Sequence, residues 1–148
     1  MPGTFSLFPA QQADLSAILD ILRACQEELP PLAQDSLTQL LQRNVQRGSV
    51  LLAAQETKVA GVCIWSPVLH KISLLAVSPQ ARGLGIATAL LKETLRRMPA
   101  GNITLETFRD GDPRGTAALS LYRKFGFQSI GLSEGYEWPM QILKLRRE

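Results

Sequence analysis

A chain of 148 residues that is 45% apolar and 20% charged can bury a core of its own, and it lacks the composition of disordered or fibrous chains. The formal net charge of +3 is mild, with basic residues concentrated only at Lys144, Arg146 and Arg147 and at Arg96 and Arg97; no stripe of basic and aromatic residues marks a nucleic-acid-binding protein. No apolar run reaches membrane-spanning length, so one soluble domain over residues 1–148 is expected.

Residues 4–9 read as a short strand. Residues 14–29 read as an amphipathic helix, with Leu15, Ile18, Leu19, Leu22 and Cys25 on one face and Pro30-Pro31 as its stop. A second helix is predicted over 36–47, ended by Gly48. The period then changes. Apolar runs at 50–54 and 59–65, separated by Gln55-Glu56-Thr57-Lys58, predict an antiparallel hairpin, and 72–77 is a further strand. A helix follows over 85–97, then a strand over 102–108. Asp112-Pro113 is placed as the N-cap and first turn of a helix with Ala117, Ala118, Leu121 and Phe125 inward and Gly126 at its end. Strands at 127–132 and 140–145 complete the order. Consecutive strands over 50–77 argue for antiparallel pairing, whereas the strand-helix-strand unit over 72–108 requires a parallel neighbour. A mixed sheet with helices on both faces follows, an α/β (α+β) architecture.

Cys25 and Cys63 lie in apolar patterns and read as small buried side chains; no CxxC or other metal-ligand spacing is present, and no metal is expected. His70 is the only histidine, which leaves no His-rich zinc site. The opening residues carry no basic segment followed by an apolar one. A reducing cytoplasm is the expected compartment.

The segment carrying most chemical information is Ser78-Pro79-Gln80-Ala81-Arg82-Gly83-Leu84-Gly85-Ile86-Ala87, between the strand at 72–77 and the helix that follows. Glycines allow backbone N–H groups to approach an anion, and a helix N-terminus adds free donors and a favourable dipole. The competing reading is a turn whose glycines serve packing alone. A P-loop would need a lysine that Gly83-Leu84-Gly85-Ile86-Ala87-Thr88 lacks. A dinucleotide fold would need a third glycine at Thr88 and a place on the first crossover.

Gln80-Ala81-Arg82-Gly83-Leu84-Gly85 resembles the Q/R-x-x-G-x-G/A pyrophosphate loop of the GNAT superfamily of N-acetyltransferases. Ala118-Leu119-Ser120-Leu121-Tyr122-Arg123-Lys124-Phe125-Gly126-Phe127 resembles that family's A-x-x-LY-x-K-x-GF segment, and Leu7-Phe8-Pro9-Ala10 with Asp14-Leu15 looks like its first strand and helix. The resemblance covers nearly the whole chain. It implies a mixed, mostly antiparallel sheet of about six to seven strands flanked by about four helices. It also implies acetyl-CoA as cosubstrate, with no metal. Backbone groups of Leu75 and Val77 would pair with the pantetheine arm, and Ala76 between them belongs to the coenzyme-binding set. Amides of Arg82, Gly83, Leu84, Gly85, Ile86 and Ala87, with Thr88, would hold the pyrophosphate, and Gln80, Ala118, Tyr122 and Lys124 complete the implied coenzyme set.

Acetyl transfer to an amine needs a neutral nucleophile, yet an amine of pKa about 10.4 is mostly protonated at neutral pH, so a base or water chain must take its proton. The departing thiolate needs a proton donor, which the resemblance assigns to Tyr122; the alternative is a surface tyrosine with its hydroxyl in solvent. The strand before the glycine loop, His70-Lys71-Ile72-Ser73-Leu74-Leu75, holds no carboxylate where many family members carry a glutamate. Glu106 on the next strand is the leading candidate base, ahead of His70 and Glu134, and its competing reading is a solvated strand residue. Gly115 stands where the family often has an asparagine. Neither cysteine is placed for an acyl-cysteine intermediate, so direct transfer is expected. The acceptor pocket would draw on Glu27, Glu28, Asp35, Glu134, Tyr136, Glu137 and Trp138, a carboxylate rim suited to the cationic amine of a small molecule or peptide. A homodimer is admitted by this reading. The alternative function is a noncatalytic acyl-CoA binding or sensing domain.

Overall fold

A computed structural model describes residues 4–29, 34–133 and 139–148. Seven strands form one sheet: β1 (Ser6–Pro9), β2 (Val50–Gln55), β3 (Lys58–Ser66), β4 (Lys71–Val77), β5 (Ile103–Phe108), β6 (Gln128–Ser133) and β7 (Met140–Leu145). Their order is β1-β2-β3-β4-β5-β7-β6. Every neighbouring pair is antiparallel except β4 and β5. The expected mixed, mostly antiparallel sheet is therefore the observed one.

Four helices cover it: α1 (Leu15–Ala24), α2 (Gln34–Arg47), α3 (Ile86–Arg97) and α4 (Thr116–Lys124). Side chains alternate across β2 and β3, so Leu52, Val62 and Ile64 pack with Ile18, Leu22 and Leu41 of α1 and α2. Leu51, Ala53 and Cys63 point the other way, into a second core with Ile86, Leu90 and Leu91 of α3 and Leu119 and Tyr122 of α4. Gly61 lets α3 lie close on β3, because a Cβ there would meet Ile86 Cγ2 at 2.9 Å.

Two helix boundaries depart most from the sequence pattern. Helix α1 stops at Ala24 rather than running to 29, and Gln26–Glu28 form a 3-10 turn. The proline at 30 accounts for the far end of the expected span: a residue before proline is pushed out of the helical region, and Leu29 is extended, with φ −119° and ψ 150°. Asp112 does cap a turn, accepting the Arg114 backbone N–H at 3.0 Å, but that turn is the 3-10 segment Pro113–Gly115, and α4 starts after it at Thr116.

Two irregularities of β4 position everything that follows. Ile64 pairs with Leu74 and Trp65 with Ile72, so Ser73 is an extra residue, a β-bulge. The bulge reverses the strand's faces: Ile72 joins the α3–α4 core and Leu74 the α1–α2 core. The second irregularity is the seam with β5. Lys71 and Thr104 are the registered pair, joined by Thr104 N–H donating to the His70 carbonyl at 3.0 Å, and beyond them the two strands diverge.

Candidate active site

The divergence of β4 and β5 opens two cavities that share Leu75 and Ala118, with Glu28 and Leu29. The first, of about 330 Å³, lies between the glycine loop, the start of α3 and the first turn of α4. The second, of about 230 Å³, runs along the seam toward Lys71.

The first cavity gathers most of the residues that the sequence proposed for the coenzyme. Leu75, Ala76 and Val77 supply the β4 wall; Arg82, Gly83, Gly85, Ile86, Ala87 and Thr88 supply the loop and helix start; Ala118 supplies the α4 wall. The loop glycines hold φ of +81° at Gly83 and +83° at Gly85, a conformation L side chains rarely adopt, while a Cβ at either would meet nothing within 4 Å. Backbone conformation, not close packing, is what requires them. Gln80 turns away, its side-chain oxygen accepting the Ser78 hydroxyl at 2.7 Å. Leu84 is exposed at the tip of the loop and Lys124 is exposed on α4; neither lines this cavity.

Arg82 is tightly engaged. Its guanidinium donates to both Glu28 oxygens, at 2.6 and 3.0 Å, and to the Val77 carbonyl at 3.3 Å. Glu28 thus turns to the glycine loop rather than standing in an open carboxylate rim, and it lines both cavities. Of the other expected rim residues, Glu27 is exposed in the 3-10 turn; Glu134, Tyr136, Glu137 and Trp138 lie outside the described residues, as does the side chain of Asp35.

Cys25 is not merely a core side chain. It lines the first cavity, its thiol donating to the Val77 carbonyl at 3.3 Å with Arg82 Nη2 3.7 Å from the sulfur. Burial pushes this thiol up against the opposing hydrogen bond from Arg82, so it stays protonated and a poor nucleophile. Cys63 is fully buried and pushed by desolvation up to about 12.

Arg114 is a cavity residue the sequence reading passed over. It forks onto Asp112, with Nη2 2.6 Å from Oδ2, and its guanidinium carbon stands 4.5 Å from the centroid of the Phe108 ring. The side-chain hydrogen bond from Arg114 holds the Asp112 carboxyl below the usual carboxylate range. The same Phe108 explains Gly115, where a Cβ would meet Phe108 Cβ at 2.8 Å. The only available signal was Asp112-Pro113, read as a cap.

The second cavity brings Tyr122 and Glu106 together with Lys71. Tyr122 is 6% exposed, not a surface tyrosine, and its ring meets Phe127 edge-on at 5.8 Å between centroids. Burial raises its phenol above the ordinary tyrosine value, so it holds its proton. Glu106 is engaged on both oxygens: Lys71 Nζ stands 3.4 Å from Oε1, and the Ser133 hydroxyl donates to Oε2 at 2.9 Å. His70 sits in the β3–β4 turn with φ 51°, its ring against Gly101, and lines neither cavity.

Among the described residues, no cluster of three or more His, Cys, Asp or Glu could hold a metal ion, and no helix is long and apolar enough to cross a membrane.

Comparison with known proteins bears on the same region. Residues 46–129 match the family model described as an acetyltransferase (GNAT) domain. The N-alpha-acetyltransferase RimI of Mycobacterium tuberculosis is 39% identical over 70 residues, 47% of this chain and 42% of that protein. The chain therefore matches under half the length of this curated relative. In structure it is similar to a GNAT-family acetyltransferase of Bacillus cereus (TM-score 0.79, 19% identity, 98% and 99% of the two chains). It is also similar to a protein of Salmonella typhimurium solved with its cofactor acetyl-CoA (TM-score 0.74, 16% identity, 97% and 94%).

Proposed function

The chain belongs to the GNAT acetyltransferase family, and on that premise we propose that it moves an acetyl group from acetyl-CoA to a primary amine of a small molecule or peptide, by direct transfer in the cytoplasm. The observation that carries this reading is the meeting of the two cavities at Leu75 and Ala118, one bounded by an anion-cradling loop and the other by a buried phenol and a carboxylate. The bound coenzyme supplies an activated acyl group and a thiol leaving group.

The residues of the first cavity fit such a molecule. The glycine loop leads into α3 with open space above Gly83 and Gly85, and Arg82 and Arg114 add positive charge. The β4 edge beyond Lys71, unpaired by β5, offers backbone groups to an extended amide chain. In the second cavity, one helical turn from Ala118, Tyr122 holds a proton that it can give to a departing sulfur. Glu106, across the seam, is the carboxylate closest to the role of base, acting directly or through water. A peptide amine is the acceptor class favoured by the likeness to the mycobacterial N-alpha-acetyltransferase.

Thiol titration of released coenzyme over a panel of amines and N-terminal peptides tests the proposal. Coenzyme release with at least one acceptor is expected. Stabilisation by acetyl-CoA without release by any amine would instead favour a noncatalytic binding domain, and no stabilisation would remove both readings.

A further inference from the structure

Among the described residues, the one primary amine that lines either cavity belongs to the protein itself: Lys71. It starts at the closed end of the seam, where it stands opposite Thr104. Its side chain runs toward the open end and reaches Glu106, two residues further along β5 and so level with Ser73 on β4. From there the ammonium is two residues, about 7 Å along a strand, from Leu75, where the cavities meet. Its side chain is 31% exposed, within reach of solvent in the cavity rather than sealed in the core.

We propose, resting on the acetyltransferase reading above, that Lys71 is a self-acetylation site. The bond between Nζ and the acetyl carbon forms as the carbon–sulfur bond of the acyl-CoA thioester breaks. Of the two protons the ammonium sheds, one passes to Glu106 and on to water, and the other ends on the coenzyme thiol. No oxidant or reductant is needed. The register makes the geometry specific, because Thr104, the partner of Lys71, and Glu106 lie two residues apart on β5 and so face the same side of the seam. The product amide is neutral, so it ends the ion pair that now occupies Glu106 Oε1.

The test incubates the full chain with acetyl-CoA and no added amine, then follows intact mass and maps the modified peptide. One acetyl group on Lys71 is expected, at a rate independent of protein concentration. The exposed Lys58, Lys92 and Lys124 serve as internal references for uncatalysed acylation. Lys71 should react at least about tenfold faster than these, and slow toward them in Glu106→Gln, since general-base help is worth about that much or more. Lys71→Arg should lose the label while unfolding as the parent protein does. Equal labelling of all these lysines overturns the proposal, as does an unlabelled Lys71 in a protein that acetylates added amines. Thermal shift in the same samples separates the layers: without stabilisation by acetyl-CoA, the acetyltransferase reading fails and this one with it.

Discussion

The guanidinium of Arg82 grips the carboxylate of Glu28 through two hydrogen bonds, at 2.6 and 3.0 Å, joining the glycine loop to the turn that follows α1. The pair is about 40% exposed on both sides, so its contribution to stability is small, about 0–1 kcal/mol. Its consequence lies in binding. An incoming pyrophosphate must share or displace a carboxylate that already satisfies the cation.

Glu28→Gln should therefore tighten coenzyme A binding several-fold at low ionic strength and leave thermal stability nearly unchanged. The gain should shrink as salt screens the site. Titration calorimetry at two salt concentrations measures it. Weaker binding by the variant would mean that Glu28 positions Arg82 rather than competing for it.

Tyr122 faces a different demand. Its phenol is buried, keeps its proton, and lines the second cavity one helical turn from Ala118, where the cavities meet. Tyr122→Phe retains the ring and its edge contact with Phe127 but removes the proton donor. Turnover should fall by about a hundredfold, the lower end of general-acid contributions, with coenzyme affinity nearly intact. Unchanged turnover would remove Tyr122 from the mechanism. The raised phenol also predicts that turnover does not fall through the ordinary tyrosine range near pH 10.

Local signals explain why some of this was legible in the sequence. The turn from β4 into α3 announces itself because positive φ demands glycine, and Gly83 and Gly85 answer that demand two residues apart. Tyr122 is one of a run of residues at helical spacing. By contrast, the Ser73 bulge leaves no mark in composition, since a strand with one extra residue reads as an ordinary apolar run. Lys71 was invisible as a site residue, and Glu28 as the partner of Arg82, for the same reason: a seam between β4 and β5, and an ion pair across 54 positions, are properties of strand order rather than neighbouring residues. The extended backbone at Leu29 could have been read from Pro30, which constrains the residue before it as well as barring further helix.

Gly115 separates family habit from local packing. Restoring the family's asparagine places a Cβ 2.8 Å from Phe108 Cβ and 3.2 Å from Cδ2, at a ring whose face carries Arg114. Phe108 is 2% exposed and has little room to retreat. Gly115→Asn should destabilise by about 1–3 kcal/mol, as overpacking does, and weaken coenzyme binding by moving Arg114. Denaturant unfolding and calorimetry check the two effects. A stable variant with tighter binding would show that the glycine is replaceable and that Arg114 does not depend on Phe108.

Cys63 predicts a dependence of stability on alkaline pH. Burial raises its thiol from 9.0 to about 12, so in the native state it stays protonated where the unfolded chain has already lost the proton. The unfolded state then binds fewer protons, and stability falls as pH rises. The loss begins near the unfolded value and continues up to the folded one, between about 9 and 12, while below that window the contribution is intact. Tyr122, also raised by burial, adds to the same slope from its own ordinary value upward. Melting temperature measured across this range should fall steeply in the parent protein and less steeply in Cys63→Ala. The substitution also removes buried sulfur, a packing cost that does not vary with pH, so the slope and not the intercept is diagnostic. An identical slope in the two proteins would mean that Cys63 already meets solvent or a compensating charge in the folded chain.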